Sequence, residues 1–445
     1  MKRKIYAKLK EWKNTSNGST ALLIEGARRV GKSYIVEEFA RNEYDSYMLI
    51  NFSKVGKNVK ELFEDLTDVP SLLQKLSYYM KVKLIERRSL VVFDEVQKFP
   101  RAREAIKFLV EDGRYDYIET GSLMSIHENV KDIIIPSEEK PIEMYPMDFE
   151  EFCWALGDEI TVPLIREHFQ QKKPLGDALH KSILEQFRKY MLVGGMPRAV
   201  MAYAENRDFS AAETEKRLIL DLYRADIVKH AKRNKLRIGA LFENIPSELS
   251  GHDKKCNLSD IDDGQGRFTS YEEPLYWLKD SMIANLCYNT TVPAVGLSLN
   301  KESKSVKAYM GDTGLLVSMT ISESEEIEQE VYSALLMDKL HINEGMFTEN
   351  IVAQMLRSNG HKLFFHIFYK EQNSKNKYEV DFLVRSGKKI NPIEVKSSDY
   401  TSHSSLDVLM ERYSKTLGQP YIVYTKDLRK VGNVLCIPIY MAICL

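Results

Sequence analysis

A basic loop bounded by glycines, residues 26–33 (Gly-Ala-Arg-Arg-Val-Gly-Lys-Ser), is the feature that most restricts how this sequence can fold. It follows the apolar run 21–24 and precedes the helical pattern 34–40, which predicts a strand, a loop and a helix in succession. Glycines let backbone N–H groups curve around phosphate oxygens, and the helix N-terminus adds positive potential. Lys32 can reach the outer phosphates, and the Ser33 hydroxyl can bind Mg²⁺. The sequence therefore predicts a phosphate-binding site here.

Two adjacent acids end a second apolar segment. Residues 90–93 are continuously apolar and lead into Asp94 and Glu95, as in a strand buried on both faces of a parallel sheet. Ligands bind beyond the carboxyl ends of such strands, so we expect Asp94 to hold Mg²⁺ and Glu95 to polarise the attacking water. Thr120 and Ser122 follow the next predicted strand, where they can contact the outer phosphate. The alternatives are a strand capped by solvated acids and a plain turn.

Composition restricts the class of protein without choosing a function. With 445 residues, of which 44% are hydrophobic and 29% charged, the chain is expected to form several globular domains. A net charge of −1 gives no global field that would attract nucleic acid, so any such surface must be local. The five cysteines are scattered, the N-terminus lacks a signal-peptide pattern, and no apolar run could span a bilayer. We therefore expect a cytoplasmic protein without a membrane partner.

Helical patterns dominate the middle of the chain. The patterns at 175–193 and 211–231 are separated by Gly-Gly-Met-Pro at 194–197, which predicts a helical subdomain. The basic run 229–237 can contact a phosphate backbone or simply be a solvated helix end.

A winged helix is the prediction for the next segment. Helical patterns at 239–249, 258–262 and 269–279 precede two strand-like segments, 282–288 and 305–309. Such a unit places its third helix in a major groove. Here that helix is mainly acidic, so a scaffold or protein-binding role is an alternative to DNA reading.

A second group of candidate residues lies near the carboxyl end. Asp381 is on a predicted strand, 378–384, and Glu394 and Lys396 are on the next one. Residues two apart on a strand share a face, so Glu394 and Lys396 should project together near Asp381. Two carboxylates can hold Mg²⁺ or Mn²⁺, and a neighbouring lysine can balance charge in a transition state. The alternative is a cross-strand ion pair, worth only about 0.2–1 kcal/mol.

These motifs resemble a known family. Residues 26–33, Val-Val-Phe-Asp-Glu-Val-Gln at 91–97 and Glu-Thr-Gly-Ser at 119–122 resemble the AAA-related P-loop ATPases of bacteria and archaea. The resemblance is greatest to the branch that carries a C-terminal domain of unknown function, and its further marks lie at 145–152, 194–197 and 312–315. Ala27 replaces a proline that is common in this loop. The resemblance implies ATP and Mg²⁺ as ligands, with a binding set of Gly26, Arg28, Arg29, Gly31, Lys32, Ser33, Asp94, Thr120 and Ser122, and Lys32 and Glu95 as catalytic residues.

The carboxyl-terminal pattern resembles the PD-(D/E)XK nuclease fold. That resemblance implies that Asp381, Glu394 and a helical Glu349 are ligands of Mg²⁺ or Mn²⁺, and that Glu394 and Lys396 are catalytic. We therefore predict a multidomain α/β protein: a P-loop ATPase domain with a parallel sheet, a helical lid, a winged-helix-like domain and a nuclease-like domain. Their predicted bounds are 1–140, 141–235, 236–320 and 340–445.

The principal functional hypothesis is an Mg²⁺-dependent ATPase whose cycle is coupled to the nuclease-like domain, acting on DNA or RNA. One alternative is a nucleotide-dependent switch or interaction protein that does not cleave, and another is a winged-helix regulator controlled by ATP. Homo-oligomers and protein partners stay open. Arg101, Arg103 and Arg114 are candidate arginine fingers, residues that would complete the ATP site of a neighbouring subunit.

Overall fold

A computed structural model describes residues 1–122, 135–230, 234–251, 271–321, 329–336, 344–369, 377–397 and 403–445. These residues form two compact units, Met1–Tyr145 with Asp280–Met282 and Pro146–Lys279 with Ile283–Leu445. The helix predicted at 258–262, the start of that at 269–279 and the centre of the basic run 229–237 lie outside the described residues.

The first unit contains a parallel five-stranded sheet with order β2-β3-β4-β1-β5. Its strands are β1 (Ala21–Gly26), β2 (Ser46–Asn51), β3 (Ser89–Asp94), β4 (Asp116–Gly121) and β5 (Glu139–Met144). Its helices are α1 (Ile5–Ser16), α2 (Lys32–Glu43), α3 (Lys57–Glu61), α4 (Val69–Met80) and α5 (Pro100–Asp112). Since all five strands run the same way, their carboxyl ends meet along one edge.

Helices cover both faces of this sheet. Leu22 and Ile24 of β1 share one core with α1 and α2, while Ala21 and Leu23 share another with α4 and α5. Burial on both faces explains why β1 and β3 are continuously apolar rather than alternating. The predicted parallel-sheet α/β core is thus present.

Helix α4 is shorter than predicted. Apolar residues at helical spacing, from Leu72 to Leu84, predict a helix over residues 70–88, but α4 ends at Met80. Lys81 adopts a left-handed conformation with φ of 55°, and its N–H bonds the Ser77 carbonyl. This conformation closes the helix and turns the chain toward β3.

The second unit is helical at first and then forms two sheets. Its strands are β6 (Ala284–Thr290), β7 (Lys301–Met310), β8 (Leu363–Tyr369), β9 (Lys377–Val380), β10 (Phe382–Ser386), β11 (Lys389–Val395), β12 (Tyr421–Tyr424), β13 (Arg429–Val431) and β14 (Val434–Pro438). The α-helices described after the first sheet are α6 (Phe149–Ala155), α7 (Thr161–Gln171), α8 (Asp177–Val193), α9 (Pro197–Asn206), α10 (Phe209–His230), α11 (Lys235–Ser250), α12 (Glu272–Asp280), α13 (Thr313–Thr320), α14 (Gln329–Leu336), α15 (Glu344–Ser358) and α16 (Ser404–Arg412). The sheet orders are β7-β6-β8-β9 and β10-β11-β12-β14-β13.

The hairpin predicted as a wing is present but has a further partner. Strands β6 and β7 pair in antiparallel fashion, and β6 also pairs in parallel with β8, opposing Cys287 to Leu363. The sheet therefore joins segments that the sequence had assigned to two domains. Pairing with β8 satisfies backbone groups that an isolated hairpin would leave at its edge.

Asp381 marks the point where one strand passes between the two sheets. Strands β9 and β10 are separated only by this residue, β9 pairs with β8, and β10 pairs with β11. The Asp381 carboxylate accepts a hydrogen bond from the Val395 N–H at 2.8 Å, which fixes the corner to the end of β11.

Three of the family-like sequence marks meet in a buried junction. Asp312 accepts hydrogen bonds from the N–H groups of Gly195, at 2.6 Å, and Leu315, at 3.0 Å. A side chain at Gly195 would approach the Met147 carbonyl oxygen to 2.1 Å, so only glycine fits there. The segments 145–152, 194–197 and 312–315 thus act together in packing.

A buried lysine stabilises the same part of the second unit. Lys216 Nζ lies 3.1 Å from Glu213 Oε2 and donates to the carbonyls of Leu192, at 2.8 Å, and Gly314, at 3.3 Å. Glu213 also accepts from Arg217 at 2.8 Å. These charges are paired, as buried charges must be. Within the described residues, no helix has the length and apolar character needed to cross a membrane.

Candidate functional site

The glycine-bounded loop connects β1 directly to α2. Gly26 lies so close to the Met144 carbonyl oxygen that a Cβ would approach it to 2.5 Å, and Gly31 has a φ of 99°. Both positions therefore need glycine. Lys32 begins α2, and its Nζ donates to the carbonyls of Gly26, at 2.8 Å, and Ala27, at 3.0 Å. Burial lowers the pKa of Lys32 to about 8, against the opposing effect of Glu95 and Asp94.

Asp94 accepts hydrogen bonds from three other elements at the carboxyl edge of the sheet. Ser33 Oγ of α2 donates to Asp94 Oδ1 at 2.7 Å, and the Thr120 hydroxyl of β4 donates to the same oxygen. Asn51 Nδ2 of β2 donates to Asp94 Oδ2 at 2.5 Å. The strand order places β4 between β1 and β3, which brings Thr120 between the loop and Asp94.

Glu95 occupies a strained backbone position. Its φ of 58° and ψ of 44° are left-handed, which costs a residue with a Cβ about 1–2 kcal/mol. Its N–H points to Thr120 Oγ1 at 3.4 Å, and its carboxylate accepts from Gln97 Nε2 at 2.7 Å. Strain of this kind concentrates at functional sites.

The structure adds Asn51 and Gln97, which the sequence reasoning missed. Residues 47–52 (Tyr-Met-Leu-Ile-Asn-Phe) predict a strand in which Asn51 is the one amide side chain, and Gln97 follows Glu95 by two residues. An amide at the end of a strand beside the acid-bearing strand was the available signal. The other predicted loop residues, Arg28 and Arg29, are exposed, and Ser122 is half-buried just after β4.

A buried acidic cluster lies on one face of the same sheet. Arg103 binds both carboxylate oxygens of Glu139, at 2.9 and 2.7 Å. Burial and the charge of Glu139 raise the pKa of Glu119 well above its ordinary value. Burial likewise raises the pKa of Glu25 to about 7, although Arg103 opposes that shift.

The candidate arginine fingers are bound within the first unit. Arg103 is only 7% exposed and is held by Glu139, so it is unavailable to a neighbouring subunit. Arg101 donates to Glu104 at 2.6 Å, and Arg114 donates to Asp112 at 2.8 Å. Both of these pairs are partly exposed, and their arginines stay candidates.

The predicted residues of the carboxyl-terminal site lie close together but have partners within the protein. Glu394 Oε1 lies 2.6 Å from Lys396 Nζ, which agrees with their predicted common face. Asp381 would oppose Glu394 if the register of β10 and β11 continued by one residue. Among the described residues, no group of three or more His, Cys, Asp or Glu side chains is arranged to hold a metal ion.

Glu349 is bound by a lysine that the sequence reasoning did not single out. Lys307 Nζ of β7 lies 3.0 Å from Glu349 Oε1 and 2.6 Å from Glu379 Oε1, and the Tyr309 hydroxyl donates to the same Glu349 oxygen. Burial alone would lower the pKa of Lys307, but Glu349, Glu379 and Asp381 raise it above its ordinary value. The two carboxylates within hydrogen-bonding distance of its Nζ favour the ammonium form of this buried lysine.

Family models match three parts of the chain. Residues 18–153 match an AAA domain, residues 184–326 match a domain of unknown function (DUF8612), and residues 344–441 match another (DUF4143). The first match confirms the predicted AAA-related P-loop domain, and the third confirms a C-terminal domain of unknown function. No curated protein matches the chain at a significant level.

Solved structures give distant similarities. The chain is similar to the Walker-type ATPase PABY2304 of Pyrococcus abyssi, with 18% identity, a TM-score of 0.39, and coverage of 71% of this chain and 94% of that one. It is also similar to a STAND protein (signal transduction ATPase with numerous domains) with a tetratricopeptide repeat sensor, PH0952 of Pyrococcus horikoshii, at 14% identity and a TM-score of 0.26. That match covers 78% of this chain and 47% of the other.

A third structure is protein VC1899 of Vibrio cholerae, with 11% identity, a TM-score of 0.18 and coverage of 95% of each chain.

The loop, the Asp94 contacts and the match over residues 18–153 together identify the amino-terminal part of the chain as an AAA-related P-loop ATPase domain.

Proposed function

We propose that this protein binds ATP with Mg²⁺ and hydrolyses it at the edge of the first sheet. The observation that carries the proposal is the convergence of Ser33 and Thr120 on Asp94 beside the Lys32 loop. The fit of a phosphate chain is supported by Gly26 and Gly31, where a Cβ would clash or force a strained φ. Loop N–H groups and Lys32 would bind the phosphates.

Each remaining side chain has a defined task in this proposal. Ser33 and Asp94 would hold Mg²⁺, which when bound offsets negative charge on the outer phosphates. Glu95 would accept a hydrogen bond from the attacking water and so orient it. Thr120 and Asn51 would keep the Asp94 carboxylate in position through the hydrogen bonds that they donate.

Phosphate release from ATP, measured with the full-length chain, tests this proposal. We expect Lys32→Ala to abolish release, and Glu95→Gln to lower it by about 10²–10⁴-fold while nucleotide binding persists. Matched controls come from the exposed α3 pair Lys57 and Glu61, 3.2 Å apart, as Lys57→Ala and Glu61→Gln. If the purified protein hydrolyses no ATP with Mg²⁺, the proposal fails.

For the output of the ATP cycle, we propose a nucleotide-dependent switch without nucleic-acid cleavage. This was the alternative to a coupled nuclease, and the pairing of Glu349 with Lys307 at 3.0 Å favours it. The deciding assay incubates the protein with DNA and RNA, Mg²⁺ or Mn²⁺, with and without ATP. Cleavage that Glu394→Ala or Lys396→Ala abolishes would restore the nuclease hypothesis, including its DNA or RNA substrate.

A further inference from the structure

Lys307, Glu349 and Glu379 form a cluster that we call the acidic centre, and Lys307 is its most completely enclosed charge. Its side chain has 0% exposure, and its Nζ contacts carboxylates from two different elements, Glu349 of α15 and Glu379 of β9. The ring of Phe365 lies beneath the ammonium, with its centroid 5.1 Å from Nζ. The lysine thus connects β7 to both of its acidic partners.

The surroundings of Lys307 suit an ammonium better than a divalent cation. An aromatic face attracts an ammonium but offers no oxygen ligand, whereas Mg²⁺ needs about six oxygens in near-octahedral geometry. Glu349 Oε1 already accepts hydrogen bonds from Lys307 Nζ and from the Tyr309 hydroxyl. A metal bound to that oxygen would lie close to the ammonium and be repelled by it.

The other two predicted ligands are also engaged. Asp381 Oδ2 accepts the Val395 N–H at 2.8 Å, as a corner of the fold requires. Among the described residues, Glu394 Oε2 has no hydrogen-bond partner, but Lys396 lies 2.6 Å from the other oxygen of Glu394 and balances its charge. The residues that the nuclease resemblance assigns to a metal therefore do not fit one as they are arranged here.

We infer that the Lys307 ammonium is the resident cation of this acidic centre and takes the place of a divalent metal ion. The centre is then a buried network of ion pairs that joins β7, α15 and β9. It needs no added metal ion to form. This inference does not depend on ATP hydrolysis in the first unit, because every residue it uses lies in the second.

Removal of the ammonium should create the metal site that it prevents. Lys307→Met keeps most of the side-chain length and removes the charge, leaving Glu349 and Glu379 without their cation. Titration of the nucleotide-free full-length chain with Mn²⁺, followed by electron paramagnetic resonance of the free ion, counts the sites. We expect Lys307→Met to bind one more Mn²⁺ per chain than wild type, and the gain to vanish in Lys307→Met/Glu349→Gln.

Lys396→Met is the matched control, since it removes a lysine that also lies 2.6 Å from a carboxylate but is partly exposed. It should gain no tight Mn²⁺ site. The inference is overturned if wild type binds Mn²⁺ at a site that Glu349→Gln removes, a result that needs no Lys307 variant to fold. It is also overturned if folded Lys307→Met gains no site.

A second measurement keeps the inference testable if Lys307→Met folds poorly without metal. Its melting temperature, or its recovery as folded monomer or oligomer, should rise with millimolar Mn²⁺ because the metal binds the folded state. The same Mn²⁺ should leave the melting temperature of wild type unchanged. A failure of Mn²⁺ to stabilise Lys307→Met would contradict the inference.

Discussion

Replacement of Thr120 by valine would test whether the Asp94 contacts serve catalysis. The Thr120 hydroxyl donates to Asp94 and accepts from the Glu95 N–H at 3.4 Å. A hydrogen bond to a charged group is worth about 1.5–3 kcal/mol. If that energy positions Asp94 in the transition state, its loss would lower kcat by about 10- to 150-fold, because about 1.4 kcal/mol corresponds to a factor of ten. Valine has a similar shape, so the fold should tolerate it.

The assay compares kcat for phosphate release with the melting temperature of each variant. Asp94 keeps its bonds from Ser33 and Asn51, so we expect the free energy of unfolding to fall by only about 1–2 kcal/mol. The matched control is Thr67→Val, which removes an exposed threonine hydroxyl that donates to Asp65 at 2.6 Å. Wild-type kcat in folded Thr120→Val would refute the role of this hydroxyl, as would an equal fall in the control.

Three further predictions concern stability and are checked by denaturant or thermal unfolding. Glu25 has a folded pKa raised to about 7, so wild type loses stability as pH rises from the ordinary glutamate pKa through that value. Glu25→Gln should therefore be more stable than wild type above pH 7, by about 1–3 kcal/mol, and equal to it in acid; a pH-independent difference would contradict this. Lys216→Met should lower the free energy of unfolding by about 3–5 kcal/mol because it leaves the buried Glu213 without its ammonium partner. An unchanged unfolding midpoint would show that the pair is not needed for stability. Gly195→Ala should lower the free energy of unfolding by about 1–3 kcal/mol or more, because its Cβ would clash with the Met147 carbonyl oxygen. Wild-type stability of this variant would show that the backbone around Gly195 can shift to accept a side chain.

Local sequence patterns were sufficient for the nucleotide loop and the acid-bearing strand. The loop at 26–33 and the run ending at Asp94 carry their signals in consecutive residues, and the structure places both at the same sheet edge. Glycine positions, apolar runs and helix starts are properties of short segments, so a single sequence records them directly.

Contacts between distant segments were not predictable in the same way. Lys307 meets Glu349 across 42 positions, and its strand shows nothing unusual in local composition. Asn51 reaches Asp94 only because β2 and β3 are neighbours in register. The hairpin of β6 and β7 was expected from the strand-like segments 282–288 and 305–309, but its pairing with β8 depends on a strand that begins more than fifty residues after β7 ends.

The position of β1 between β4 and β5 has a consequence for synthesis on the ribosome. Strand β1 pairs with β4 and β5, whose residues 116–121 and 139–144 emerge about a hundred residues later. At about 5–20 residues per second, the apolar strand waits for roughly 5–20 s before either neighbour can join it. During that interval the apolar strand β1 is exposed and prone to aggregation, because the residues that will cover it have not yet been synthesised. A nascent chain stalled before β4 should therefore depend on chaperones, although it already carries the complete phosphate loop.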